Sequence, residues 1–342
     1  MKAIVIHAAQ DLRIEERQTK PPTANEVLIS LKVGGICGSD LHYYKNGGFG
    51  PIKLREPMVL GHEVSGEIVD IGSDVEGLRI GQLVAISPSR PCKACEYCLR
   101  AQLNHCENMR FYGSAMPFPH IHGAFQQSIV ADVSQCAPAD GLQAAETAMA
   151  EPLSVSLHAV KQAGNLVGKT VLITGCGPIG IMTILAARRA GATKIIATDL
   201  SEFTLEKATL AGADVIHNVA TNPESLSSLN VGKGQVDVHF ECSGSETALR
   251  CGVAALRPNG CLIQLGLGGD MSIPMQALTA KEITLKGSFR FHEEFLTAVQ
   301  MMQKGLIDVR PFVTHSFPLE RVHEAFDAAM NRETALKVQI TF

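Results

Sequence analysis

Four cysteines crowd into fifteen residues of this chain: Cys92, Cys95, Cys98 and Cys106, in CKACEYCLRAQLNHC. Thiolates at this knuckle spacing can close a tetrahedron round one zinc ion. The same string can hold an iron-sulfur cluster, but a closed zinc site that staples an irregular lobe is the favoured expectation, and such a site does no chemistry. A second set is dispersed. Cys37 lies in GGICGSDLHYY (residues 34–44), His62 and Glu63 follow in GHEVSGEI, and Glu151 opens EPLSVSLHA. Taken singly these are a buried thiol, a core imidazole and solvated carboxylates; together they offer one sulfur, one nitrogen and two oxygens. Three protein ligands and an open position make a catalytic zinc site.

The third constellation is TVLITGCGPIG. Gly175, Gly177 and Gly180 spell G-x-G-x-x-G directly after an apolar β-rich run, Pro178 and Ile179 open a helix, and Asp199 closes the next apolar run, KIIATD. The first glycine permits the tight turn, the second admits a pyrophosphate to the backbone, and the third lets helix pack on strand. The acidic residue then receives ribose hydroxyls. An adenosine 2'-phosphate would meet like charge at Asp199, and Leu200, Ser201, Glu202 and Phe203 supply no cation. NAD is therefore expected over NADP.

The elements that must position these residues fall into two kinds. Residues 1–147 read as short strands, such as VLISLKV, EVSGEIVDI and QLVAISP, separated by Gly, Pro and Asn turns, with almost no helical periodicity. From residue 148 to about 285, helical and apolar β-type segments alternate, which predicts an α/β domain with a doubly wound parallel sheet. Residues 286–342 hold two amphipathic helices, EEFLTAVQMMQKG and ERVHEAFDAAM, and a strand, LKVQITF, that closes one of the sheets. Residues 170–187 carry no charge and reach the length of a membrane helix, but their glycines and proline split them into strand, loop and helix.

A chain of 342 residues suits about two domains. Its net charge of −4 and lack of a long basic run argue against nucleic acid and anionic membranes as partners. The start, MKAIVIHAAQD, has too short an apolar stretch for a secretion signal, so a cytoplasmic location is expected. Cys136, Cys176, Cys242, Cys251 and Cys261 sit in apolar or Gly-rich surroundings and read as small buried hydrophobes.

With these residues in view, the chain resembles the zinc-dependent medium-chain dehydrogenase superfamily over essentially its whole length. GICGSDLH, GHE, the four-cysteine lobe, EPLSV, the glycine fingerprint and ECSG stand in that family's order, within its polyol dehydrogenase branch. The segments MRFYGSAM, FPH and GSFRF are most like the members that act on sugar acids. The resemblance implies a GroES-like β-rich catalytic domain (1–147, with its zinc lobe at about 90–108). It further implies a Rossmann NAD-binding domain (148–285) and a C-terminal segment (286–342) that returns to the first domain. It also implies two zinc ions per chain, NAD as hydride carrier, and a homo-oligomer, dimer or tetramer.

Carried over residue by residue, Cys37 and His62 would ligate the catalytic zinc, with Glu63 or Glu151 as the third ligand. Ser39 would accept the alcohol proton and His42 would pass it toward solvent. Asp40 would orient the His62 ring, and Gly266 would lie along the cofactor. Tyr43, Arg110, Phe111 and Arg290 are candidates for the substrate, with Arg290 favoured as partner of a substrate carboxylate. The implied reaction is oxidation of a sugar acid at a secondary alcohol. The alternatives are a neutral polyol of the sorbitol or xylitol type, butanediol or threonine. A binding protein without turnover is a further alternative, though it would have no physical need of an open metal site.

Overall fold

The segment Glu26–Gly35 alternates buried apolar residues with the half-exposed Glu26, Leu28, Ser30 and Lys32 as far as Val33 and is then buried throughout Val33–Gly34–Gly35. One face packs on a core, and the end of the strand is enclosed on both. It lies in a seven-stranded sheet that runs in the order Cys136–Pro138, Leu83–Ile86, Glu63–Ile71, Glu26–Gly35, Lys337–Thr341 and Val313–Pro318, with Ser128–Asp132 also paired to Glu26–Gly35. The register sets Gly35 opposite both Glu63 and Gln339. Two segments distant in sequence therefore flank the turn that carries Cys37.

The computed structural model describes residues 1–342 and divides them into two units. The first comprises Met1–Glu151, Phe295–Asn331 and Lys337–Phe342; the second comprises Pro152–Glu294 and Arg332–Leu336. No helix is long and apolar enough to cross a membrane. Residues 170–187 instead form the strand Thr170–Thr174 and most of the helix Pro178–Arg189.

The first unit contains one helix of consequence that periodicity does not reveal, Gly38–Asn46. Only Asp40 and Tyr43 of it are buried, and one of these is charged, so no apolar stripe marks it in the sequence. Its ends are set locally. Asp40 Oδ2 accepts the backbone N–H of Cys37 at 3.0 Å, and Gly47 closes the last turn at φ +64°.

In the second unit six parallel strands run Val215–Asn218, Lys194–Asp199, Thr170–Thr174, Val236–Glu241, Leu256–Gln264 and Thr284–Gly287. In chain order this is 3-2-1-4-5-6, the doubly wound dinucleotide-binding arrangement, and the order reverses between Thr170–Thr174 and Val236–Glu241. Leu172, Ile196, Val236, Leu249, Val253 and Leu262 form the centre of the core.

Beneath the switch point lies a buried polar chain. His239 Nε2 meets Thr174 Oγ1 at 2.9 Å, and that hydroxyl donates to Glu241 Oε1 at 3.3 Å. Glu241 also receives the N–H groups of Ser243 (2.8 Å) and Gly244 (2.9 Å), and Gln264 Nε2 at 2.6 Å. The ECSG motif is thus a carboxylate that ties down the loop after its strand.

Burial alone pushes His239 down to about 3. Its folded pKa lies below the unfolded one, so the unfolded chain takes a proton that the folded chain refuses, and stability is lost as pH falls below about 6.5. At pH 5 that loss is about 2 kcal/mol. In urea titrations, His239→Gln is expected to lose about 2 kcal/mol less than the unmutated chain between pH 7 and pH 5. Equal losses would show that His239 is not held neutral.

Candidate active site and metal centres

The strand ending at Gly35 delivers Cys37 to the N-terminus of the helix Gly38–Asn46, and the strand Glu63–Ile71 begins beside it with His62 and Glu63. One ligand atom from each of Cys37, His62 and Glu63 lies within 4.8 Å of the others. Glu151, 6% exposed at the start of the helix Ala150–Ala163, is raised to about 7 by burial, aided by the Glu63 charge and opposed by His62 and Lys337. Burial works against a charged His62, but Cys37, Asp40 and Glu151 around it outweigh burial and hold its pKa well above the ordinary value. A pocket of one thiol and several carboxylates round an imidazole favours a cation. Its S, N and O donors suit zinc.

The expected link from Asp40 to His62 is not a hydrogen bond. Asp40 Oδ1 stands 3.9 Å from His62 Nδ1, which is buried without a hydrogen-bond partner. The carboxylate instead accepts the N–H of Cys37 and, at 3.1 Å, that of Gly61. It fixes the backbone at Cys37 and just ahead of His62 rather than the ring.

Sequence reasoning missed Lys337. Its ammonium, in a strand buried from Lys337 to Ile340, reaches Glu63 Oε1 at 2.7 Å, Glu63 Oε2 at 2.6 Å and the carbonyl of Ile36 at 3.1 Å. Burial disfavours its charge, but Glu63 and Cys37 more than restore it, so the pKa is raised. In LKVQITF apolar and polar residues alternate as in any half-exposed strand, so nothing in the sequence marks Lys337 as buried. Gly35 makes room for the pair: a Cβ there would stand 2.2 Å from Glu63 Oε2.

The helix Gly38–Asn46 has two faces. Asp40 and Tyr43 point inward, while Ser39 is half-exposed and His42 exposed, one turn apart on the other side. Tyr43 is 2% exposed and its hydroxyl accepts the N–H of Ala115 at 3.0 Å, so it packs rather than offering itself to a ligand. Phe111 lies with its ring 5.7 Å from that of His62, and Arg110, next to it, is exposed. Arg290 belongs to the second unit, with its guanidinium 4.9 Å over the Phe289 ring and a backbone φ of +54°.

In the lobe, the Cys92 and Cys98 sulfurs are 4.0 Å apart, as are those of Cys95 and Cys106, and all four lie within 4.8 Å of one another. A Zn–S bond of about 2.3 Å gives a tetrahedral edge of about 3.8 Å, so the set fits a single ion. The N–H groups of Ala94 and Cys95 draw Cys92 down to about 6, which prepares a thiolate.

Close packing of the turn requires two glycines of the fingerprint. A Cβ on Gly175 would press on Ser243, and one on Gly180 would stand 1.8 Å from the Gly175 carbonyl. Asp199 receives the N–H of Cys176 at 2.6 Å and that of Leu200 at 2.7 Å, fixing it at the strand end. Gly266 lies against Gly244, and its N–H is bonded to the Glu241 carbonyl at 2.9 Å, so it packs below that loop.

Residues 23–141 match the alcohol dehydrogenase GroES-like domain, and residues 178–304 match the zinc-binding dehydrogenase family. The chain belongs to the zinc-dependent medium-chain dehydrogenases. It is 42% identical over 321 residues to the L-idonate 5-dehydrogenase (NAD(P)(+)) of Escherichia coli K12, covering 93% of this chain and 92% of that one. It is 36% identical over 342 residues to the sorbitol dehydrogenase of Bos taurus, covering 99% and 95%. The crystal structure of the Escherichia coli L-idonate 5-dehydrogenase superposes with a TM-score of 0.96 at 39% identity, over 100% of this chain and 98% of that one. The dehydrogenase therefore has the GroES-like and Rossmann folds and uses zinc and a nicotinamide dinucleotide.

Proposed function

We propose that this dehydrogenase oxidises a sugar acid at a secondary alcohol, with L-idonate to 5-ketogluconate as the reaction and NAD as hydride acceptor. The Cys37, His62 and Glu63 cluster carries the reading, in a chain whose 42% identical relative is an L-idonate dehydrogenase. These three residues, with Glu151 beside them, would hold the ion. A bound zinc ion lowers the pKa of an alcohol toward neutrality. The half-exposed Ser39 hydroxyl accepts the alcohol proton, and the exposed His42 imidazole one turn on hands it to water. Asp199 accepts hydrogen bonds from the ribose, and the turn at Gly177 admits the pyrophosphate. Cytoplasmic residence as a dimer or tetramer belongs to the same proposal.

A sugar acid brings a carboxylate toward Glu63 and Glu151 and needs a cation to answer it. Arg290 is proposed for that part. Its left-handed backbone costs about 1 kcal/mol or more in a residue with a side chain, a strain that suits a functional position. Initial rates with NAD across L-idonate, D-gluconate, sorbitol, xylitol and L-threonine test the reading, with the highest kcat/KM expected for L-idonate. Arg290→Ala is expected to raise KM for L-idonate by about 2 kcal/mol or more while sparing neutral polyols. Sorbitol or xylitol outrunning L-idonate would replace this reading with a plain polyol dehydrogenase, which the sorbitol dehydrogenase relative favours.

A further inference from the structure

Leu200, Ser201, Glu202 and Phe203 supply no cation, but the fold brings one from 131 residues beyond Ser201. The Arg332 carbonyl accepts the Ser201 hydroxyl at 3.3 Å, which fixes the arginine backbone beside the turn that carries Asp199. Its Nη1 lies 3.2 Å from where a Cβ on Gly177 would stand and is the one group that fills that space. Arg332 is exposed and enters no ion pair within the chain. Both partners belong to the second unit.

We propose that Arg332 grips the pyrophosphate of the nicotinamide dinucleotide. Gly177 is the glycine at which the pyrophosphate meets the backbone, and the helix Pro178–Arg189 begins there with first-turn N–H groups that have no partner within the helix. A dianion at that point meets the helix N-terminus on one side and a planar guanidinium on the other, which can donate two parallel hydrogen bonds. Arg332 makes no ion pair with Asp199, so the ribose and the pyrophosphate have separate partners. The arginine therefore serves NAD and NADP alike and does not choose between them. Nothing in this depends on which alcohol the enzyme oxidises.

Binding measured without turnover tests it, by calorimetry or nucleotide fluorescence on the full-length protein with NADH, NADPH, ADP-ribose and adenosine. Arg332→Ala is expected to weaken NADH, NADPH and ADP-ribose by a similar factor, about 10- to 100-fold, and to leave adenosine unchanged. Arg332→Lys should recover part of the loss, and Arg332→Glu should exceed it. The slope of log Kd against log salt should become shallower in Arg332→Ala. The melting temperature serves as the control on folding, and an exposed side chain should leave it in place. Unchanged NADH affinity in Arg332→Ala would overturn the proposal. A loss confined to NADPH would also overturn it, because the arginine would then serve the adenosine 2'-phosphate.

Discussion

Lys337→Met is expected to destabilise the protein by about 3–5 kcal/mol, more than an exposed lysine of the chain could. Lys337 and Glu63 are each 1% exposed, and the ammonium serves both carboxylate oxygens. Removing the ammonium takes both hydrogen bonds and the nearest cation from a carboxylate buried away from water, and this uncompensated desolvation, rather than the lost attraction, dominates the effect. Replacing both partners, Lys337→Met with Glu63→Leu, should therefore be closer to neutral than Lys337→Met alone. Urea denaturation at matched zinc content measures all three. A single mutant within 1 kcal/mol of the unmutated chain would mean that Glu63 finds another cation.

The second large effect separates the two metal centres. Cys37→Ser is expected to lower kcat/KM by at least about 10⁴-fold, or roughly 5 kcal/mol, because zinc shifts the pKa of a bound hydroxyl by about nine units and a weakened site forfeits much of that. The half-buried thiol lies at a helix start and not in an apolar core, so the melting temperature should move little. Cys98→Ser should do the reverse. It opens the four-thiolate set, so the melting temperature falls and one of two zinc ions is lost, while the rate per folded molecule stays within a few-fold. Metal analysis, thermal melts and initial rates on both variants give the comparison. One zinc ion in the unmutated chain would refute the two-centre reading.

The parts of the protein that could be read from sequence are those with local causes. Four thiols within fifteen residues specify a lobe by themselves, and three glycines between an apolar run and a helix specify a turn whose steric reasons the fold displays at Gly175 and Gly180. The alternation of helix and strand gave the parallel sheet. The helix Gly38–Asn46 was hidden because its inward face holds a carboxylate and a tyrosine instead of an apolar stripe. Lys337 and Arg332 were hidden for another reason. Each acts on residues far away in the chain, one through strand pairing and the other through a chain return, and spacing carries no record of either. The family resemblance made Asp40 a partner of the His62 ring, yet it is the backbone N–H groups of Cys37 and Gly61 that take its oxygens.

The distance between Glu63 and Lys337 also sets an order of assembly on the ribosome. The two are 274 residues apart, so at 5–20 residues per second Glu63 waits roughly 14–55 s for its cation to be synthesised. During that interval the four-cysteine lobe has all its ligands, and the whole of Pro152–Glu294, with its six parallel strands, emerges. The lysine then arrives with the strand that pairs with Glu26–Gly35. A nascent chain stalled anywhere in the nucleotide-binding sheet thus carries a finished zinc lobe and an unfinished catalytic pocket, and the carboxylate at residue 63 stays hydrated until the last strand is added.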